Sequence, residues 1–290
     1  MDLQPFIITH VDAAWREAFL RYVPRVFPRA SFRRWCELGG WDENYLAIAI
    51  TEGDEIVANA SLMRMSLVLQ GRELTGWQLG AVGVVPERRG AGLQRIIMPR
   101  ALDVAARNDV VFLFANDSVL DFYPRFGFRR AQEVVFGADH AVTPAKDRLR
   151  VLSLESADDR RLLARLAAEA KPVTEAFGAR RYGSVLLWYW TNFYQDCFYY
   201  WEECDALVIA EQDGDCLRIC DVLARERLDL TSCLPRVATA PAHRLEFGFT
   251  PGAWWPDARP VSPYSDSPLF VQGAHDLPAA PFKFPMLAQT

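Results

Sequence analysis

Apolar and polar positions alternate along this chain with two different periods. In VDAAWREAFLRYVPRVF (11–27), Val11, Trp15, Ala18, Phe19 and Tyr22 recur at helical spacing, and the segment is predicted to be an amphipathic helix. YLAIAITEGDEIVANASLMRMSLVL (45–69) reads as two strands joined at Glu52-Gly53-Asp54, a turn sequence between apolar runs. WQLGAVGVV (77–85) is a further strand that ends at Pro86. After a short glycine-containing loop, Leu93, Ile96, Ile97, Ala101, Val104 and Ala105 share one side of a helix, in which Pro99 predicts a kink because it removes a backbone donor. Asn108-Asp109 closes that helix, and VVFLFA (110–115) is a continuous apolar run of the kind buried on both faces. A strand, turn, helix and strand in this order form a right-handed crossover, which makes the two strands parallel.

Near residue 150 the pattern changes. PAKDRLRV reads as a linker, and a new helix is predicted to start with a cap near Ser156. In LLWYWTNFYQDCFYYW (186–201) nine residues are aromatic, which suits core or domain interface better than a binding wall, the other reading being stacking faces for a cationic acceptor. A second strand pair follows in ALVIAEQDGDCLRICDVLA (206–224). Its LVIAEQDGD echoes LAIAITEGD of the first pair, with Leu, Ile, Ala, Gly and Asp in register, which suggests a degenerate second copy. The expected division is 1–148 and 149–290.

Composition narrows the function classes. The 290 residues are 51% hydrophobic and 24% charged, a globular balance with ample core. No apolar run approaches bilayer length and MDLQPFIITH lacks a basic region followed by an apolar run, so a cytoplasmic protein without membrane contact is expected. A net charge of −5 argues against a general nucleic-acid binder and mildly favours cationic partners. The six cysteines include no C-x-x-C and the four histidines are scattered, so no metal site is expected. Cys216 and Cys220 would share a strand face as reduced thiols. The aromatic content leaves room for a homo-oligomer.

The candidate chemistry begins in VVPERRGAGLQRIIM (84–98). Gly90 and Gly92 leave the backbone bare where a helix directs its free N–H groups and positive dipole end, and Arg88 and Arg89 add charge. Those are the requirements of a phosphate cradle, although a tight strand-to-helix turn would look the same. The loop is neither a Walker A sequence nor a dinucleotide fingerprint.

Two motifs carry a family resemblance. Arg89-x-x-Gly92-x-Gln94 resembles the acetyl-CoA loop of the GCN5-related N-acetyltransferases (GNAT), with Gln94 where that pattern has glycine or alanine. ANDSVLDFYPRFGFRR resembles the same family's Asn-x-x-Ala-x-x-x-Tyr-x-x-x-Gly-Phe, with Asn116, Tyr123, Gly127 and Phe128 in place and Val119 replacing alanine. The arginine pair and the Leu-x-Arg-x-x-Met that follows are similar to the enhanced-intracellular-survival subgroup of aminoglycoside and lysine acetyltransferases. That subgroup has a second, degenerate domain, and also a third, sterol-carrier-like domain for which this chain has no room.

The resemblance implies an α/β GNAT fold: a mixed, mostly antiparallel sheet flanked by helices, with a second, degenerate GNAT-like α/β domain. It implies acetyl-CoA as co-substrate, and a small-molecule or lysine-type amine as acceptor by direct attack in a ternary complex. Val82, Gly83 and Val84 would pair with the pantetheine amides, and an amide near Val82 would stabilise the oxyanion. Gly83 in mid-strand suggests close backbone approach. Arg89, Gly90, Ala91, Gly92, Leu93 and Gln94 would hold the pyrophosphate, with Asn116 on the pantetheine arm and Ser118 among the cofactor contacts. Tyr123 would act as the acid that protonates the leaving thiolate. The base stays open: the preceding strand has no acid, leaving Glu133, Asp117, Asp121, a water relay or the C-terminal carboxylate of Thr290. An acyl-CoA-binding regulatory or scaffold protein is the alternative, on the grounds of the missing strand glutamate.

Overall fold

The computed structural model describes residues 4–105, 109–264 and 266–290; Asn108, read above as the end of a helix, lies outside them. In chain order the first half contains β1 (Phe6–Ile8), α1 (Ala13–Val26), α2 (Arg33–Glu37), β2 (Tyr45–Glu52) and β3 (Glu55–Leu69). It continues with β4 (Arg72–Val84), α3 (Leu93–Val104), β5 (Val110–Phe114), β6 (Arg129–Ala131) and β7 (Val134–Val142). The second half contains β8 (Arg150–Val151), α4 (Ala157–Glu169), β9 (Phe177–Arg180), α5 (Gly183–Asn192) and β10 (Phe198–Trp201). Then come β11 (Ala206–Asp213), β12 (Cys216–Leu223), α6 (Leu234–Val237), β13 (Ala242–Phe247), β14 (Arg259–Pro263) and β15 (Leu269–Gln272).

Local chemistry explains most of these boundaries. β2 and β3 close at Glu52↔Glu55 over the two-residue loop Gly53-Asp54, with Gly53 left-handed at φ +60°. β3 and β4 close over Gln70-Gly71, both at positive φ, a turn absent from the sequence expectation, which began the third strand at Trp77. The Ser156 hydroxyl caps α4 by accepting from the Asp159 amide at 3.2 Å. α3 runs on through the exposed Pro99, and α1 through Pro24. Val11, expected on the helix face, lies before α1 and is exposed.

The strands form two sheets. The first has the order β1-β2-β3-β4-β5-β15-β6, with β9 added beside the far end of β3. Only β4 and β5 are parallel in it, as the crossover rule requires. The second has the order β14-β7-β13-β12-β11-β10-β8, with β12 and β13 parallel. Both are mixed, mostly antiparallel sheets, the GNAT pattern of one parallel pair after an antiparallel meander.

Strands cross the expected boundary at residue 148 in both directions. β9 and β15 come back to the first sheet, while β7 already belongs to the second. Apolar burial accounts for this exchange: Phe112 of β5 packs on Phe177 of β9 and on Phe284 near the end of the chain, with ring centroids 5.8 and 5.2 Å apart.

The second sheet is the degenerate partner. The connection from β12 to β13 contains the four-residue α6 where the first sheet has the twelve-residue α3, and no positive-φ glycine interrupts it. Its parallel pair places β11–β12 opposite β3–β4, whereas the sequence echo had matched β11–β12 with β2–β3. The echo therefore reflects shared Gly-Asp turns, at Gly53-Asp54 and Gly214-Asp215, and not equivalent strands. Cys216 and Cys220 are buried on β12 with free thiols.

Candidate active site

β4 and β5 pair only at Gly76↔Val110, Trp77↔Val111 and Gln78↔Phe112. Beyond that point the two part, because β5 turns its other edge to β15 while β4 stays with β3. The segment from Leu79 to Val84 thus has one edge away from any ladder with β5. Its course is set by a bulge: Ser61 pairs with Gly80 and Asn59 with Gly83, so Ala81 and Val82 together face Ala60. Ala81 sits at φ +46°, costly for a residue with a Cβ. The fully buried Asn59 holds it there, its amide nitrogen donating to the Ala81 carbonyl at 2.9 Å and to the Ser61 hydroxyl at 2.8 Å.

Of the expected cofactor residues, Val82 is half-buried and Gly83 and Val84 are buried on this stretch. Gly83 has a different reason for being glycine than the one its position suggested. A Cβ there would meet Val26 Cγ1 at 2.4 Å, the Tyr22 hydroxyl at 3.0 Å and Phe27 at 3.2 Å, so on that face glycine admits α1 and its C-terminal neighbour.

At the end of β4, Pro86–Arg88 forms a single 3-10 turn and the chain enters α3 through Gly90 (φ +80°) and Gly92 (φ +75°). Nothing lies within 4 Å of either missing side chain, so glycine is needed there for the backbone angle alone. Arg89, Gly90, Ala91 and Gly92 are exposed, Gln94 half-buried, and Leu93 anchors the helix in the core. The amides of Gly90, Gly92, Leu93 and Gln94 donate to no backbone acceptor among the described residues, whereas Ala91 closes on Arg88 at 3.3 Å. Four amides without backbone partners at a helix start are the donor set that an anion cradle requires. Arg88 is drawn aside by an ion pair with Glu52, and Arg89 reaches back to the Val84 carbonyl at 3.4 Å.

Across the gap, Asn116 and Ser118 are exposed in the segment that leaves β5, with no side-chain capping bond from Asn116. Tyr123 opens a one-turn helix closed by left-handed Gly127, and its ring is held by Phe122, Phe128 and Phe270 at 5.1–6.0 Å. Burial pushes its phenol up to about 12, which keeps it protonated through neutral pH.

On the face of β3 and β4 beneath α2 and α5 lies a narrow cleft of about 40 Å³. Its wall is Phe32, Trp35, Tyr45, Met63, Val185 and Trp188, and its floor includes Ser61, Gln78, Gly80, Ala81 and Thr290. The Trp35 indole is fixed by donating to the Ser184 carbonyl at 2.8 Å. Gln78, buried on β4, holds the end of the chain: its amide donates to Ala288 O at 2.9 Å and its carbonyl accepts from the Thr290 amide at 2.5 Å. A Cβ on Gly80 would lie 2.9 Å from Thr290 Oγ1 and 3.7 Å from the Thr290 carbonyl carbon, so glycine lets residue 290 rest on the strand.

The structure thus brings Thr290 to β4 and sets the other base candidates apart from the cleft. Glu133 is buried where the chain passes from β6 to β7, 3.6 Å from Lys283, and accepts from the Phe284 amide at 2.7 Å. Asp117 and Asp121 are exposed beyond β5. No aspartate or glutamate side chain lines the cleft among the described residues. The sequence reading missed Phe32, Trp35, Tyr45, Met63 and Val185, which come from separate elements without common spacing. Trp188 was read only as part of an aromatic run. No group of three His, Cys, Asp or Glu side chains among the described residues could hold a metal ion, and no described helix is long and apolar enough to cross a membrane.

The sequence profile of the acetyltransferase (GNAT) domain matches residues 8–131. Residues 8–131 are therefore similar to a GNAT domain. That match ends at β6, and β15 adds a strand to the GNAT sheet from far outside it. Among solved structures, Eis1 from Mycobacterium abscessus is similar over 92% of this chain and 73% of its own, with a TM-score of 0.54 at 14% identity. A conserved protein of unknown function from Enterococcus faecalis V583, described as a probable N-acyltransferase, has a TM-score of 0.54 at 13% identity, over 92% of this chain and 72% of its own. A GCN5-related N-acetyltransferase from Kribbella flavida has a TM-score of 0.53 at 16% identity, over 93% and 72%. These likenesses are of fold, and they extend over both GNAT-like sheets. No curated protein matches the chain in sequence.

Proposed function

We propose that the protein transfers an acetyl group from acetyl-CoA to a primary amine by direct attack in a ternary complex. The observation that supports this reading is the set of amides of Gly90, Gly92, Leu93 and Gln94 without backbone partners, at the end of the strand that parts from β5. The pyrophosphate of coenzyme A would lie on those amides, with Arg89 alongside, and the pantetheine arm would follow Val82–Val84 as an added strand. Asn116 and Ser118 would contact that arm from the other side of the gap.

The amine nitrogen would attack the thioester carbon, forming the C–N bond as the C–S bond breaks. The Tyr123 phenol, still neutral at working pH, would give its proton to the departing thiolate. The proton lost by the amine needs a base. In a chain that ends at Thr290, the α-carboxylate against Gly80 is the acidic group in the cleft, and it supplies what the strand itself lacks. An adjacent carboxylate would also orient a protonated amine before attack.

Calorimetric titration of acetyl-CoA tests the reading at its root. Wild-type protein should bind, and Gly92→Glu should abolish binding by filling the cradle and adding a negative charge. Tyr123→Phe should bind acetyl-CoA as the wild type does but release thiol ~10²–10⁴-fold more slowly with an amine acceptor. Unchanged turnover in Tyr123→Phe would remove it from the mechanism. Normal binding with no thiol release from any amine would favour a regulatory acyl-CoA binder. No binding at all would reduce the loop to a turn.

A further inference from the structure

The cleft beside Thr290 is built for an acceptor of a particular chemistry, and the inference rests on the acetyl-transfer reading above. We infer that its substrate is a monoamine whose amino group is carried by a short arm on an apolar, aromatic body. Polyamines and aminosugars are excluded by the same wall.

Phe32, Trp35, Tyr45 and Trp188 form a continuous aromatic surface. Phe32 packs on Trp35 at 5.5 Å and on Trp188 at 6.0 Å, and Trp35 meets Tyr45 edge-on at 5.2 Å. Met63 and Val185 complete the wall with aliphatic surface. Such a surface gains most from covering a flat apolar group, by area burial and by edge-to-face contact. No lysine, arginine, aspartate or glutamate side chain lines the cleft among the described residues. A second ammonium on the acceptor would therefore lose its water without meeting a carboxylate, and a sugar would leave several hydroxyls unpaired. The one amine that the site can use is the one at Thr290 and β4.

Burial pushes the Tyr45 phenol above its ordinary range, so it is neutral and contributes no charge to the cleft.

The test measures thiol release from acetyl-CoA with 2-phenylethylamine, tryptamine, spermidine and an aminosugar. In parallel, saturation-transfer NMR reads direct binding of each amine. The expected result is a kcat/KM at least ~10-fold higher for the two aromatic monoamines, the scale on which a mismatched pocket discriminates. Trp188→Ala should raise KM for 2-phenylethylamine by a larger factor than for propylamine, a split that a merely destabilised protein would not show. Equal or better turnover with spermidine or the aminosugar overturns the inference and leaves acetyl transfer standing. If no amine releases thiol, yet 2-phenylethylamine binds to the wild type and not to Trp188→Ala, the cleft assignment holds and the transferase reading fails. Absence of aromatic-amine binding in NMR and kinetics alike overturns the inference.

Discussion

Asp221 on β12 is a carboxyl group with no access to water, held by the Tyr182 hydroxyl at 2.7 Å and the Val222 amide at 2.8 Å. Desolvation outweighs both bonds and pushes it up to about 6. The folded protein therefore keeps this proton up to about pH 6, whereas the unfolded chain releases it near 3.8. The protonated form is favoured by folding, so this group's contribution falls as pH rises from about 4 to 6, by up to about 3 kcal/mol. Asp221→Asn, which keeps an acceptor for Val222, should remove that slope. Denaturant unfolding at pH 4.5 and 7 should show the variant gaining on the wild type at the higher pH. An equal difference at both pH values would refute the assignment. At this scale the sequence revealed some residues and hid others. Arg89 to Gln94 were legible because a phosphate loop is contiguous and its chemistry lies in the backbone. Phe32, Tyr45 and Trp188 were not, because each is an ordinary core aromatic until α2, β2 and α5 converge.

The strands and helices were legible where one period ran unbroken, as in α1, in β5 and in the β2–β3 hairpin. The start of β4 was not. RELTG (72–76) looks like loop, but it is held as strand by β3 beside it, and the β3–β4 turn is tied to the segment before β9 through the amides of Gln70 and Gly71. What lies close to Gly83 was hidden for a similar reason. Its neighbour is a helix sixty residues earlier, and no local signal announces it. Gly83→Ala should force α1 off the strand and destabilise the protein by about 1–3 kcal/mol. Val26→Ala, by itself a small loss at a half-buried site, should recover part of that cost when combined with it. Additive losses in the double variant would mean that α1 does not press on β4 at this point.

At the scale of the molecule, the cleft is assembled from both ends of the chain, with Phe32 and Tyr45 from the first fifth and Thr290 from the last position described. Under the proposed reaction, this closure would supply the base that the strand lacks in a protein that ends at Thr290. In a protein that ends at Thr290, two glycines appended after it would move the carboxylate away while leaving the bonds to Gln78 in place. The expected outcome is a fall in kcat of ~10²-fold with acetyl-CoA affinity and melting temperature unchanged. Undiminished kcat would assign the proton to water or to another group. A second strand pair was legible in the second half, although the echo that suggested a second copy matched turns and not equivalent strands; the exchange of β7, β9 and β15 between sheets was not, because short strands carry no address.

That exchange bears on the order in which the protein can be completed during its synthesis. β5 and β6 are close in sequence but do not touch, because β15 lies between them and is hydrogen-bonded to both. Until residue 272 leaves the ribosome, the buried apolar strand VVFLF has an open edge, the kind of edge on which nascent chains join one another. The GNAT sheet is encoded first and finished last, so a translation arrest before β15 would leave every preceding strand made and the sheet still unsealed.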